Sequence, residues 1–344
     1  MKFLRLLLLP FAIIYDLVTA IRNYFYDKEI YKWHTFPLPV IAVGNLSTGG
    51  TGKSPQTEYL IRLLANKYNL ATLSRGYGRK TSGYILADES ASAQTIGDEP
   101  FQFFTKFKNI QVAVDANRVE GIENLLSLSP KPEVILLDDA YQHRRVKAGF
   151  YILLTAYGDI YADDYILPAG NLREGRYGAA RANVIVVTKC PPNLTEREQQ
   201  KITTRLQPKP QQQVYFTTIG YEDFVYSGSG QREVADVRNT PKVLVAGIAK
   251  PQPFYDYLKG NDDIIKTYAD HHIFTGAEIN ELNALAANRI IVTTEKDYMR
   301  LKGRLPEDRL FYLPIKCQFI SGGDDFDKNI LNYVGQSTRN RSIH

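Results

Sequence analysis

The chain has only two cysteines in 344 residues, Cys190 and Cys317, far apart and without metal-ligand spacing. That argues against a disulfide framework or a zinc site and points to a reducing compartment. No stretch reads as a bilayer-spanning helix: the N-terminal apolar run, Leu6 to Tyr15, is ten residues with Pro10 inside it, against the ~20 a span requires. No basic block is interleaved with aromatics, so nucleic acid is not an expected partner. Internal repeats and long low-complexity stretches are also missing. What is present is ordinary for a folded protein, with 44% hydrophobic and 23% charged residues. The length accommodates two domains. A net charge of +5 fits anionic partners such as nucleotides or an acidic membrane surface.

The most informative stretch is Pro39 to Leu60, PVIAVGNLSTGGTGKSPQTEYL. An apolar β-type run, Val40 to Val43, leads into a Gly-rich loop and then a helical pattern carrying Tyr59, Leu60, Leu63 and Leu64. Strand, loop and helix in that order form the context of a phosphate-binding loop. Gly49, Gly50, Thr51 and Gly52 let backbone N–H groups converge on phosphate oxygens, and the helix N-terminus adds positive potential. Lys53 is placed for the β/γ-phosphates and Ser54 for Mg²⁺. Ser47 stands where the consensus has its first glycine. The reading is a nucleoside triphosphate site.

Around that loop the chain alternates strands and helices, which predicts a doubly wound α/β fold. Upstream, Lys2, Arg5 and Arg22 flank the apolar segment, as expected of a helix lying on an anionic membrane surface; a buried helix and a cleaved leader are the alternatives. Leu70 to Leu73 ends in Ser74-Arg75-Gly76-Tyr77-Gly78, where α/β sheets bind ligands. Gly97-Asp98-Glu99-Pro100 opens a helix with two carboxylates, which N-terminal dipole pairing alone would also explain. Val134 to Leu137 runs into Asp138-Asp139, the pattern that delivers a carboxylate to Mg²⁺ in P-loop proteins. Tyr141-Gln142-His143-Arg144-Arg145 follows at once. Arg173-Glu174 sits in a Pro/Gly-rich loop with the character of a binding loop.

Among nucleotide-dependent classes, a GTPase needs an Asn-Lys-x-Asp base reader. The nearest strings, Thr188-Lys189-Cys190-Pro191 and Thr294-Glu295-Lys296-Asp297, do not supply one. A membrane ATPase of the MinD/ParA type is the main rival, but its signature lysine precedes the paired glycines, where this chain has Thr48. In order, GNLSTGGTGKSP, LSRGYG, GDEP, DDAYQHRRV, LPAGNLREG, GIAKPQPF, DHHIF and TTEKD resemble the tetraacyldisaccharide 4'-kinase family, the lipid A kinases of Gram-negative bacteria. The resemblance runs from the N-terminal helix to about residue 315, and Ser47 is common in that family.

The resemblance implies transfer of the ATP γ-phosphate to the 4'-hydroxyl of an acylated glucosamine disaccharide 1-phosphate at the cytoplasmic face of the inner membrane. It implies two α/β/α domains joined by a two-stranded linker. The expected boundaries are 1–30 for the membrane-surface helix, 31–212 for the P-loop domain, 213–240 for the linker, 241–330 for the second domain and 331–344 for a tail, with the stretch after Gly322 reading as loosely ordered. It implies Ser54, Asp138 and Glu174 around Mg²⁺, and Asp139 and Lys53 in catalysis. Asp98 and His271 match a pair that activates the acceptor hydroxyl. Arg75, Tyr77, Arg118, Gln142, His143 and Arg173 match positions around the disaccharide and phosphates. The chain departs from the family pattern at Ala140-Tyr141, Gly175 and Ala249-Lys250, which bear on loop shape and acyl preference more than on the charged ligands. Deleting residues 1–25 is expected to reduce membrane partitioning and lipid phosphorylation with far less effect on nucleotide binding.

Overall fold

The computed structural model describes residues 5–270 and 272–339. One compact unit runs to Ile219 and resumes at Cys317; the other is Gly220–Lys316.

The first unit begins with α1 (Leu9–Asp27), followed by β1 (Val40–Asn45), α2 (Lys53–Leu64), β2 (Leu70–Ser74), β3 (Ile85–Leu86), α3 (Ala93–Ile96), α4 (Asp98–Lys106), β4 (Gln111–Val114) and α5 (Arg118–Leu126). It continues through β5 (Val134–Asp138), β6 (Phe150–Ala156), β7 (Val184–Thr188), α6 (Glu196–Leu206) and β8 (Gln213–Tyr221). The second unit holds β9 (Phe224–Ser227), β10 (Gly230–Glu233), α7 (Val234–Arg238), β11 (Lys242–Ala246), α8 (Gln252–Leu258), β12 (Ile264–Thr267), α9 (Gly276–Ala286), β13 (Ile290–Thr294), α10 (Glu295–Leu301) and β14 (Leu310–Leu313). The chain then returns through β15 (Ile315–Ser321) to α11 (Gly323–Arg339).

The large sheet has the order β15-β8-β7-β6-β1-β5-β2-β4-β3. Its pairs from β8 to β4 are parallel, and β3 runs antiparallel to β4. β1 and β5 lie side by side with Val43 opposite Asp138, so the Gly-rich loop and the paired aspartates emerge at the same edge. Every residue of both strands is buried, which explains their unbroken apolar runs: helices cover a parallel sheet on both faces. The smaller sheet, β10-β9-β14-β13-β11-β12, is parallel from β14 to β12 with an antiparallel hairpin at one edge.

One expectation changes. The described part of the segment after Gly322 is not loose but forms α11 (Gly323–Arg339), whose Phe326, Ile330 and Val334 are fully buried in the first unit's core. The division between the units falls within β8, at Ile219, inside the 213–240 stretch expected to join them.

No described helix is long and apolar enough to cross a membrane. α1 is instead two-faced. Ala12, Thr19 and Asn23 are buried against the protein, while Phe11, Ile13, Ile14, Leu17, Val18 and Tyr24 stand exposed.

Candidate active site

The loop after β1 wraps the N-terminus of α2, with Gly52 as the capping residue at φ 80°, in the left-handed region that favours glycine. Gly49 is also left-handed. Ser47 is not, so nothing in the backbone demands the consensus glycine there. Ser47 instead pairs with Leu172 in an isolated antiparallel bridge. Thr48 N–H donates to Asn171 C=O at 2.7 Å, and Arg173 N–H to Leu46 C=O at 2.7 Å. The LPAGNLREG segment is therefore laced to the first half of the loop. On the other side, Thr188 Oγ1 donates to Thr51 C=O at 2.8 Å, and Lys189 Nζ donates to Gly50 C=O.

Asp139 lies at the centre of the charged groups. Its Oδ1 accepts from Arg173 Nη2 at 3.0 Å, and its Oδ2 lies 3.7 Å from Lys53 Nζ. Burial acts to raise the Asp139 carboxyl, but Lys53 and Arg173 outweigh it and hold the group below the ordinary carboxylate range. Its φ of 46° is a conformation that Asp tolerates better than most residues. Asp138 is buried and accepts from Thr57 Oγ1 at 3.1 Å. Burial, reinforced by Glu99 and Asp139, pushes its carboxyl up to about 7.

Ser54 Oγ donates to Glu99 Oε1 at 2.6 Å, which brings the GDEP turn to the start of α2. Asp98 is the exposed first residue of α4. Two glycines fix that turn against the LSRGYG loop: a Cβ on Gly76 would come within 2.8 Å of Ile96 C=O, and one on Gly97 within 2.9 Å of Tyr77 C=O. Arg75 and Tyr77 project from this loop as exposed side chains.

Arg118 is 3% exposed, its Nη1 donating to Asp115 C=O at 2.8 Å and Ala116 C=O at 3.2 Å. Burial lowers its pKa to about 10, with Asp138 and Asp139 opposing, so it remains a cation. His143 is held at about 4 by burial and by Arg118, Arg145, Arg75 and Arg22 around it, and is neutral at physiological pH. Gln142 Nε2 donates to Asn45 C=O at 2.8 Å.

Glu174 is fully buried, and its oxygens accept from Arg181 Nη2 at 2.7 Å, Gln142 Nε2 at 3.0 Å and Asn23 Nδ2 at 2.9 Å. Three donors, one of them a cation, occupy its oxygens in this structure. His271 lies outside the described residues. Its neighbour His272 places Nε2 3.0 Å from both Glu278 oxygens and stacks on Tyr268 at 4.8 Å, which accounts for it structurally.

Sequence reasoning missed Glu99, Thr57, Asn45 and Arg181. Glu99 had a detectable signal, standing next to Asp98 at a helix start; the other three became visible only through their side-chain hydrogen bonds in the folded chain.

The residues present suit a triphosphate and a divalent cation. The buried polar atoms Thr51 Oγ1, Asn45 Nδ2, Arg173 Nε and His143 Nε2 have no hydrogen-bond partner, as expected of a site built for a polar ligand. Among the described residues no group of three or more His, Cys, Asp or Glu forms a closed metal cage. Mg²⁺ does not require one, since it is held by one or two carboxylates, a hydroxyl, phosphates and water.

A family model described as tetraacyldisaccharide-1-P 4'-kinase matches residues 4–335. A tetraacyldisaccharide 4'-kinase of Flavobacterium johnsoniae is 56% identical over 98% of this chain and 99% of its own length. One from Bacteroides thetaiotaomicron is 42% identical over 98% and 95%. The crystal structure of LpxK from Aquifex aeolicus in complex with ATP superposes with a TM-score of 0.76 at 28% identity, covering 96% of this chain and 99% of that one. The chain belongs to the tetraacyldisaccharide 4'-kinase family.

Proposed function

We propose that this protein transfers the γ-phosphate of ATP to the 4'-hydroxyl of tetraacyldisaccharide 1-phosphate, forming the lipid IVA precursor of lipid A. Full-length similarity to named 4'-kinases supports this activity over the MinD/ParA-type alternative. The structural observation that carries the mechanism is Asp139 held between Lys53 and Arg173 at the mouth of the Gly-rich loop.

Phosphoryl transfer is mainly positioning and charge neutralisation. The loop from Gly49 to Gly52 presents backbone N–H groups to the phosphates, and Lys53 and Arg173 offset their charge. Ser54, Asp138 and Glu99 would hold Mg²⁺, which would supply further positive charge against the negative charge of the phosphates. The sugar hydroxyl attacks the γ-phosphorus, the bond to the β–γ bridging oxygen breaks, and ADP leaves. We assign the hydroxyl proton to Asp98, with His271 in the partner role that the sequence resemblance implies; a positioned base contributes roughly 10²–10⁴-fold. Arg75, Arg118, Gln142 and neutral His143 receive the polar part of the acceptor, with exposed Tyr77 at its rim. The apolar outer face of α1 rests on the cytoplasmic leaflet of the inner membrane, where an acylated substrate resides.

The test is phosphate transfer from labelled ATP to the tetraacyl disaccharide by wild type, Lys53→Ala and Asp98→Ala. Labelled phospholipid from wild type, reduced at least 100-fold in both variants, is expected. ATP turnover stimulated by membranes with no labelled lipid would overturn the reading.

A further inference from the structure

α1 does more than present an apolar face. It carries Asn23, which is 3% exposed and donates through Nδ2 to Glu174 Oε2 at 2.9 Å. Glu174 has no exposure of its own, and its charge is balanced by Arg181 at 2.7 Å. The other Glu174 oxygen takes Gln142 Nε2 at 3.0 Å, and the same nitrogen donates to Asn45 C=O at 2.8 Å. Asn45 Oδ1 accepts from Arg173 Nη2, which also holds Asp139 at 3.0 Å. A continuous series of hydrogen bonds thus runs from α1 to the carboxylate facing Lys53. Other contacts fix the helix in the same register: Tyr15 Oη donates to Arg173 C=O at 3.2 Å, and Arg144 Nη1 donates to Asn23 C=O at 2.8 Å.

We infer that Asn23 is a positioning residue for phosphoryl transfer, acting through Glu174 to set Arg173 and Gln142. The inference rests on the kinase reading above. A buried carboxylate is costly to leave under-bonded. With Asn23 removed, Glu174 must turn toward its remaining donors, and Arg173, its chain neighbour, turns with it. The helix that meets the lipid surface is therefore also a wall of the catalytic site.

The experiment measures transfer to tetraacyldisaccharide 1-phosphate in detergent micelles, where vesicle attachment plays no part, alongside binding to lipid vesicles. Asn23→Leu keeps the volume and removes the amide. It is expected to lower kcat at least tenfold, to leave KM for ATP within threefold and to leave vesicle binding unchanged. Asn23→Asp sets a second carboxyl against Glu174, with Arg181, Arg22 and Arg144 as the surrounding charges. As pH falls from 8.5 to 6.0 that carboxyl takes up a proton and can again donate, so activity relative to wild type is expected to rise. The second variant decides the matter should Asn23→Leu not fold. A relative activity flat with pH, or Asn23→Leu with kcat within twofold of wild type, would overturn the inference. Wild type that leaves the acceptor unphosphorylated would instead overturn the kinase reading.

Discussion

His143 sits in a pocket of like-signed neighbours, and the sign of its shift sets a pH dependence. Burial, with Arg118, Arg145, Arg75 and Arg22, holds its pKa at about 4 against an ordinary value near 6.5. The unfolded chain takes up this proton from about pH 6.5 downward and the folded chain only near 4. The stabilisation is therefore complete above pH 6.5 and is lost as pH falls toward 4. After discounting for partial exposure, this amounts to roughly 1–2 kcal/mol. Urea unfolding at pH 7.5 and 4.5 should show wild type losing that much more stability than His143→Gln; equal losses would remove His143 from the balance. At this scale the sequence was partly legible. Lys53, Ser54, Asp138 and Asp139 follow from spacing along one strand and one loop. The partners of Glu174 were not legible, because Asn23 and Gln142 are distant in sequence and only the packed chain shows that they and Arg181 bond to it.

At the level of elements, β1 and β5 were readable because a strand buried on both faces must be apolar throughout, leaving a run that little else produces. α11 was not. Its buried residues Phe326, Ile330 and Val334 recur every four positions, but Asp327, Lys328, Asn329 and Asn332 stand between them and Gly335 lowers helix propensity. Tertiary packing supplies what local preference does not. Phe326 lies 4.8 Å from the Phe319 ring, 5.3 Å from Tyr215 and 5.9 Å from Tyr59, and Tyr333 Oη accepts from the Val40 N–H at 3.2 Å. Phe326→Ala should destabilise the first unit by about 3–5 kcal/mol, measured by chemical denaturation with a fluorescent ATP analogue as the probe of native site. A loss below ~1 kcal/mol would mean that the helix contributes little to the core.

For the molecule as a whole, the exposed apolar side of α1 calls for substitution rather than deletion, since deletion also removes Asn23. Ile14→Ser with Leu17→Ser leaves the buried side of the helix intact. Flotation with anionic vesicles should show a fall in bound protein on the order of tenfold, while unchanged flotation would rule out this face as the lipid contact. The doubly wound architecture was legible from alternating strands and helices, but the chain's return to the first unit was not. No local signal marks Cys317 as the point of return, because the strand and helix that follow belong to a core begun more than two hundred residues earlier. That return sets an order of assembly. The second unit is one continuous segment and is complete once residue 316 has been synthesised. The unit with the nucleotide loop, although begun first, still lacks most of an edge strand and the helix that seals its core. On the ribosome the unit begun first is the last to close.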